Sequence, residues 1–218
     1  MAVFDDIKVK KAGNIFKGLD GLVAVAPYAT AALTKATLFS TAVGSEGQIL
    51  ALPAAWRQIG WTSTGGVTFT RDVAVSDTPA WGAAEAILRT VTGAAKSLTV
   101  TPLESNKTVD QLYYMADLGA VVKDATNVIN WQEPDLPKLR DWRLVAIARY
   151  DTAAGEWYKI VQYPRASIQS NGDEVWNLDD AGNAKPLLAT AQMDDTLGYA
   201  VEHFEGGPGF PATAAGYV

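Results

Sequence analysis

The sequence contains no cysteine. Disulfides and thiol chemistry are excluded, and the redox compartment leaves no mark on the chain. Histidine is nearly absent: His203 is the single one. A histidine-cluster metal site is impossible, and a serine triad would have to use His203, which lies between Glu202 and Phe204 on an expected strand and reads as a surface residue. Basic residues are outnumbered, with 18 Lys and Arg against 24 Asp and Glu and a net charge of −6. Gripping nucleic-acid phosphates needs clustered Lys and Arg, so that class is disfavoured. Long apolar runs are missing as well: residues 22–29 are too few to cross a bilayer and include Pro27. Met1-Ala2-Val3-Phe4-Asp5-Asp6 lacks the basic start and apolar run of a secretory signal. The expectation is a soluble protein made in a cytoplasm, with no membrane partner.

Chemical motifs are equally sparse. Gly44-Ser45-Glu46-Gly47 is one residue short of a nucleophile elbow. There is no phosphate loop and no dinucleotide glycine fingerprint. Asp179-Asp180-Ala181-Gly182-Asn183 has the wrong ligand spacing for a calcium loop, and no bidentate Glu follows. Nothing singles out one pair among the 24 acids for glycoside hydrolysis. The expectation is no enzyme: no catalytic, cofactor-binding or metal-binding residue, and no cofactor.

What the chain does contain is alternation. Its 218 residues show no repeat and no linker, which predicts one domain over 1–218. Residues 22–27 and 141–150 alternate at period two, and 156–163 returns after the turn Asp151-Thr152-Ala153-Ala154-Gly155, with Pro164 expected to end that strand. Asn171-Gly172 predicts a hairpin between 166–169 and 174–178. Further strands are expected at 187–193 and 197–204. Short strands are expected between 120 and 137. Residues 1–20 read as a solvated arm with one short strand, the Ala-rich 29–47 as loop and short strand, too small-residued to anchor a core, and 205–218 as a flexible tail.

The stretch from Arg57 to Ala116 organises the rest. Thr64-Gly65-Gly66 predicts a tight hairpin between Trp61-Thr62-Ser63 and Val67-Thr68-Phe69-Thr70, with Val67, Phe69 and Val73 on one face. Regularity fades over 72–88, where Ser76-Asp77-Thr78-Pro79 is turn chemistry. A strand returns at 96–101. The period then changes to 3.6: Val109, Leu112, Tyr113 and Ala116 form one stripe, Thr108 and Gln111 fit a capping box, and Gly119 can end a helix over about 108–118. The pattern predicts a mainly β fold, a sandwich or barrel with one short packed helix and a long loop between strands. Of the seven tryptophans, most are expected in core or interface. Trp81, in the irregular excursion beside Pro79 and Gly82, is expected to meet a partner.

Gly60-Trp61, then Gly65-Gly66-Val67-Thr68-Phe69-Thr70-Arg71-Asp72, Ser76-Asp77 and Trp81-Gly82, then an alternating strand and Glu104-Ser105-Asn106-Lys107 before the helix, resemble the major tail (tail tube) proteins of long-tailed bacteriophages. The versions in phages of actinobacteria look most similar. The likeness covers most of the chain, most densely residues 50–118. It implies a structural virion protein that stacks as hexameric rings into the tail tube, the conduit for DNA ejection. It implies partners in further copies of itself, in tape-measure, terminator and baseplate proteins, and in genomic DNA passing through without specific binding. The location would be the virion tail, after assembly in the host cytoplasm. The excursion 72–88 would be the ring-to-ring contact, with Arg71, Asp72, Asp77, Pro79 and Trp81 as its contact residues. Residues 1–20 and 205–218 would be further bridges. A carbohydrate-binding β-sandwich with tryptophans lining a sugar platform is the alternative from another class.

Overall fold

The computed structural model describes residues 11–82, 84–176 and 183–217. Residues 1–10 of the expected arm and 179–182 of the calcium-like run lie outside the described residues. The fold is mainly β, as the alternation predicts. Its strands are β1 (Asp20–Pro27), β2 (Arg57–Gln58), β3 (Thr62–Thr78), β4 (Leu88–Pro102), β5 (Asp141–Thr152), β6 (Gly155–Ser170), β7 (Val175–Trp176), β8 (Asn183–Ala184), β9 (Leu187–Gln192) and β10 (Glu202–Gly206). One eight-stranded antiparallel sheet runs in the order β2-β1-β5-β6-β9-β4-β3, with β10 also on β6. β7 and β8 pair separately.

β2 and β3 stand at opposite ends of that order, yet only Ile59, Gly60 and Trp61 separate them. Four Cα steps span at most about 14 Å. The two ends of the sheet are therefore close together, and the sheet is rolled towards a barrel. Hydrogen bonds line this seam: Ile59 N–H donates to Val23 O at 3.0 Å, and Leu103 N–H donates to Trp61 O at 2.8 Å. Rolling puts Val23 and Val25 of β1 in one core with Leu98 and Val100 of β4, Leu144 of β5, and Leu187 and Ala189 of β9. Val109 and Leu112 reach the same core from the helix Lys107–Tyr113. The opposite face of β1, β5 and β6 buries a second core of Leu33, Leu38, Phe39 and Trp56 against Val145 and Ile160. Residues 29–47 thus do anchor a core, contrary to expectation. Three large residues among the alanines suffice because a turn of helix, Lys35–Leu38, presents them together.

Other local readings are corrected. The helix is capped by Asn106, whose side chain accepts from Val109 N–H at 2.9 Å, and not by Thr108, which is buried inside it. It stops at Tyr113 because Met115 takes φ 50°, turning Ala116 and Leu118 into the interior. The hairpin expected at Gly65-Gly66 is absent: β3 runs through it, with only a register shift between Thr62 and Val67. No strand forms between 120 and 140. Pro164 does not end β6. The extra residue of a bulge falls there, since β5 advances from Trp142 to Leu144 while β6 retreats from Ala166 to Tyr163. On its other side β6 changes partner at the same point, from β9 at Arg165 to β10 at Gln162, so the missing proline N–H breaks no ladder bond. Residues 166–170 pair with β9 and not with a strand beyond Asn171. The last strand is shorter than expected, Glu202–Gly206.

The first and last described segments are held down. Gly209 N–H donates to Glu156 O at 2.9 Å, and Phe210 packs on Trp157 at 5.6 Å between ring centroids. Phe16 meets the same Trp157 edge-on at 5.1 Å. Lys11 and Asn14 both donate to Ala214 O at 3.0 Å. Residues 205–217 are accordingly a packed segment, not a free tail, because Trp157 beside the β5–β6 turn offers an aromatic surface to Phe16 and Phe210.

Candidate functional site

The feature that the body of the protein does not use is the far half of β3 and β4. β9 pairs with β4 only from Ser97 to Val100. Beyond that point, Arg71 to Thr78 and Leu88 to Lys96 pair, among the described residues, with nothing but each other. The result is a two-stranded arm about 27 Å long at the usual rise per residue, wet on both faces. The excursion 72–88 is therefore not a loop: the strands run to Thr78 and restart at Leu88, and only 79–87 connect them. Its alternation is weak in sequence because neither face is buried, so no strict in-and-out pattern is required. A register shift between Ala74 and Val75, opposite Gly93 and Val91, further puts the two strands out of phase.

The register sorts the arm into two faces. Phe69, Arg71, Val73, Val75 and Asp77 lie opposite Leu98, Lys96, Ala94, Val91 and Arg89. Because Leu98 is in the core, this face continues the inner face of the rolled sheet into solvent. Val73, Val75 and Val91 on it are exposed. Asp77 and Arg89 close the stripe with an ion pair of 3.1 Å. The other face carries Asp72, Ala74 and Ser76 opposite Ala95, Gly93 and Thr90, which is small and polar.

The five expected contact residues all lie on this arm, but they do not form one patch. Arg71 and Asp72 point to opposite faces, Asp77 is engaged with Arg89, and Pro79 and Trp81 are at the tip. Trp81 is fully exposed at 106% and has no core behind it. Sequence reasoning missed Lys96, which the register sets directly across from Arg71, and the valine stripe between that pair and Asp77. The signal was weak: Phe69, Val73 and Val75 keep the period of two across the expected strand end, with Arg71 interrupting the apolar set. Trp56 and Trp157 are buried as expected, whereas Trp61 and Trp176 are exposed.

Two buried charged networks lie elsewhere, while the Trp56 and Trp157 Nε1 groups are buried without a hydrogen-bond partner. Arg143 Nη1 donates to Pro164 O at 2.7 Å and to Asp194 Oδ2 at 3.1 Å, and its Nε reaches Tyr28 O and Thr30 O. Burial alone would raise the Asp194 carboxyl, but the Leu197 and Thr196 amides and the Arg143 guanidinium outweigh it and hold it below the usual range. Lys185, also buried, bonds Asp110 at 2.5 Å and lies 3.4 Å from Glu174, to which the Tyr114 hydroxyl donates. These networks tie elements together. His203 is exposed on β10. Among the described residues no three His, Asp or Glu side chains converge on a metal-sized space. The void inside the rolled sheet is about 10 Å³ and apolar, far below what a small-molecule ligand needs. No helix among the described residues is long and apolar enough to cross a membrane. No protein-family model and no curated protein matches the chain.

Proposed function

We propose that this chain is a building unit that closes with copies of itself into rings, stacked as a hollow tube of the kind that conducts DNA through phage tails. The observation that carries this reading is the arm. An isolated two-stranded ribbon is marginal in water, and this one holds an apolar stripe away from its own body. β3 also ends the sheet order, and among the described residues no strand pairs with its outer edge along its 17 residues. Open edges of that length invite pairing with another chain, and closure into a ring removes them. Hexameric rings, and tape-measure, terminator and baseplate partners, are what the resemblance to tail tube proteins adds. A net charge of −6 suits a conduit, because an acidic wall repels phosphate and lets a duplex slide.

Electron microscopy of the purified protein at rising concentration tests the proposal. Regular hollow filaments are expected. A monomer that stays dispersed at every concentration and binds glycans would replace it with the carbohydrate-binding alternative.

A further inference from the structure

We infer that the arm of one copy docks on residues 120–140 of the next, with Arg71 and Lys96 meeting Glu133 and Asp135. This inference rests on the self-assembly reading and names the surface that receives the arm. Residues 120–140 contain no helix or strand, yet turn Val122, Ile129, Leu136 and Leu139 outward, with Val122 and Leu136 each 78% exposed. A structureless stretch of this length inside a compact domain points to a functional surface. It is nonetheless anchored. Trp131 packs on Tyr114 with ring centroids 5.0 Å apart, and Lys107 Nζ donates to Gly119 O and Val121 O at 3.0 and 2.8 Å.

Local charge selects the occupant, in a segment whose Asp124, Glu133 and Asp135 otherwise balance Lys123, Lys138 and Arg140. Arg71 and Lys96 are set directly opposite each other at the root of the valine stripe, an unfavourable like-charge pair within the protomer. Glu133 and Asp135 lie between Trp131 and Leu136. Among the described residues none of the four takes part in an ion pair. A cationic pair beside an apolar stripe complements an acidic pair beside exposed apolar side chains. The topology separates the two surfaces. One row of the sheet passes through Asp141, Ser167, Thr190, Ser97 and Thr70. The arm leaves this row on one side, and residues 120–140 enter Asp141 from the other. A protomer with donor and receiver on opposite sides makes a heterologous contact, which propagates head to tail.

The test is charge reversal with complementation. One variant carries Arg71→Glu and Lys96→Glu; the other carries Glu133→Lys and Asp135→Lys. The first keeps a like-charge pair across the strands, so its monomer should melt as the wild type does. Each variant alone should need about tenfold more protein to polymerise. An equal mixture should polymerise near the wild-type concentration, since each arm then meets an opposite receiver. Failure of the mixture, or normal assembly of either variant alone, overturns the docking while a polymerising wild type leaves self-assembly standing. A wild type that never polymerises overturns both. Should a variant melt early, Arg71→Cys with Asp135→Cys in this cysteine-free chain gives an independent readout. A short bis-maleimide should then link neighbouring copies in the polymer, and absence of that link overturns the docking.

Discussion

A Cβ on Gly60 would stand 2.2 Å from the Glu104 carboxylate, whose Oε1 accepts from the Trp61 N–H at 2.8 Å. Gly60 also holds φ +83°. The close approach and the left-handed backbone occur where the chain crosses from β2 to β3 and closes the roll of the sheet. Gly60→Ala is expected to lose about 1–2 kcal/mol to backbone conformation, with a further loss from displacing Glu104. Glu104→Ala should lose about 1 kcal/mol. The urea midpoint should fall with an unchanged slope.

The Arg143–Asp194 pair is shielded from solvent, with side-chain exposures of 11% and 0%. Removing one partner strands the other, so Arg143→Ala should cost about 3–5 kcal/mol. The Asp194 carboxyl is held lower in the folded state than in the unfolded chain, so its contribution is complete above the ordinary aspartate range near pH 4 and is lost as pH falls through the folded value. Thermal melts between about pH 5 and pH 2 should show this loss. Asp194→Asn should be less stable at neutral pH and should lack this residue's share of the acid dependence.

Asn106 both caps its helix and donates from Nδ2 to Ile59 O at 3.1 Å, tying the helix to the seam. Asn106→Ala is expected to cost about 1 kcal/mol for the cap, plus the loss of the second bond. Asn106→Asp keeps the capping oxygen and should fall between the two. Chemical denaturation of the three proteins orders them.

Asp72 and Ala95 are paired across the arm. Replacing residues 73–94 with Asn-Gly should therefore close a short hairpin. The trimmed monomer should keep its stability to within about 0.5 kcal/mol, because the removed segment covers nothing in the body. It should form no filaments; normal assembly would count against the arm.

Hydrogen exchange offers a separate check on the arm. In the free monomer, amides of residues 71–78 and 88–95 should exchange far faster than those of β5 and β6, since a lone ribbon opens easily. In the polymer they should become protected. Equal protection in both states would mean that the arm gains nothing from its neighbours.

Segments whose local pattern agrees with their packing were legible one at a time. The run of strand-forming residues at 141–150 marked β5, whose two faces enter two different cores, and the stripe Val109, Leu112 marked the helix. The Asn171-Gly172 hairpin failed for the converse reason. Its local turn chemistry was sound, but residues 166–170 bury Ile168 with Leu187 and Ala189 by pairing with β9, a gain that no short window can weigh. The arm was misread as loop because both its faces are wet.

The linear order of residues settled on its own that disulfides are excluded, that strands dominate, and that one helix follows residue 106. Tertiary structure decided which strands are neighbours, that Gln58 and Thr62 belong to opposite ends of one sheet, and that Lys96 faces Arg71. Periodicity reports which side of a segment is apolar. What that side rests against depends on residues far away in the chain, and so does whether it rests against anything at all.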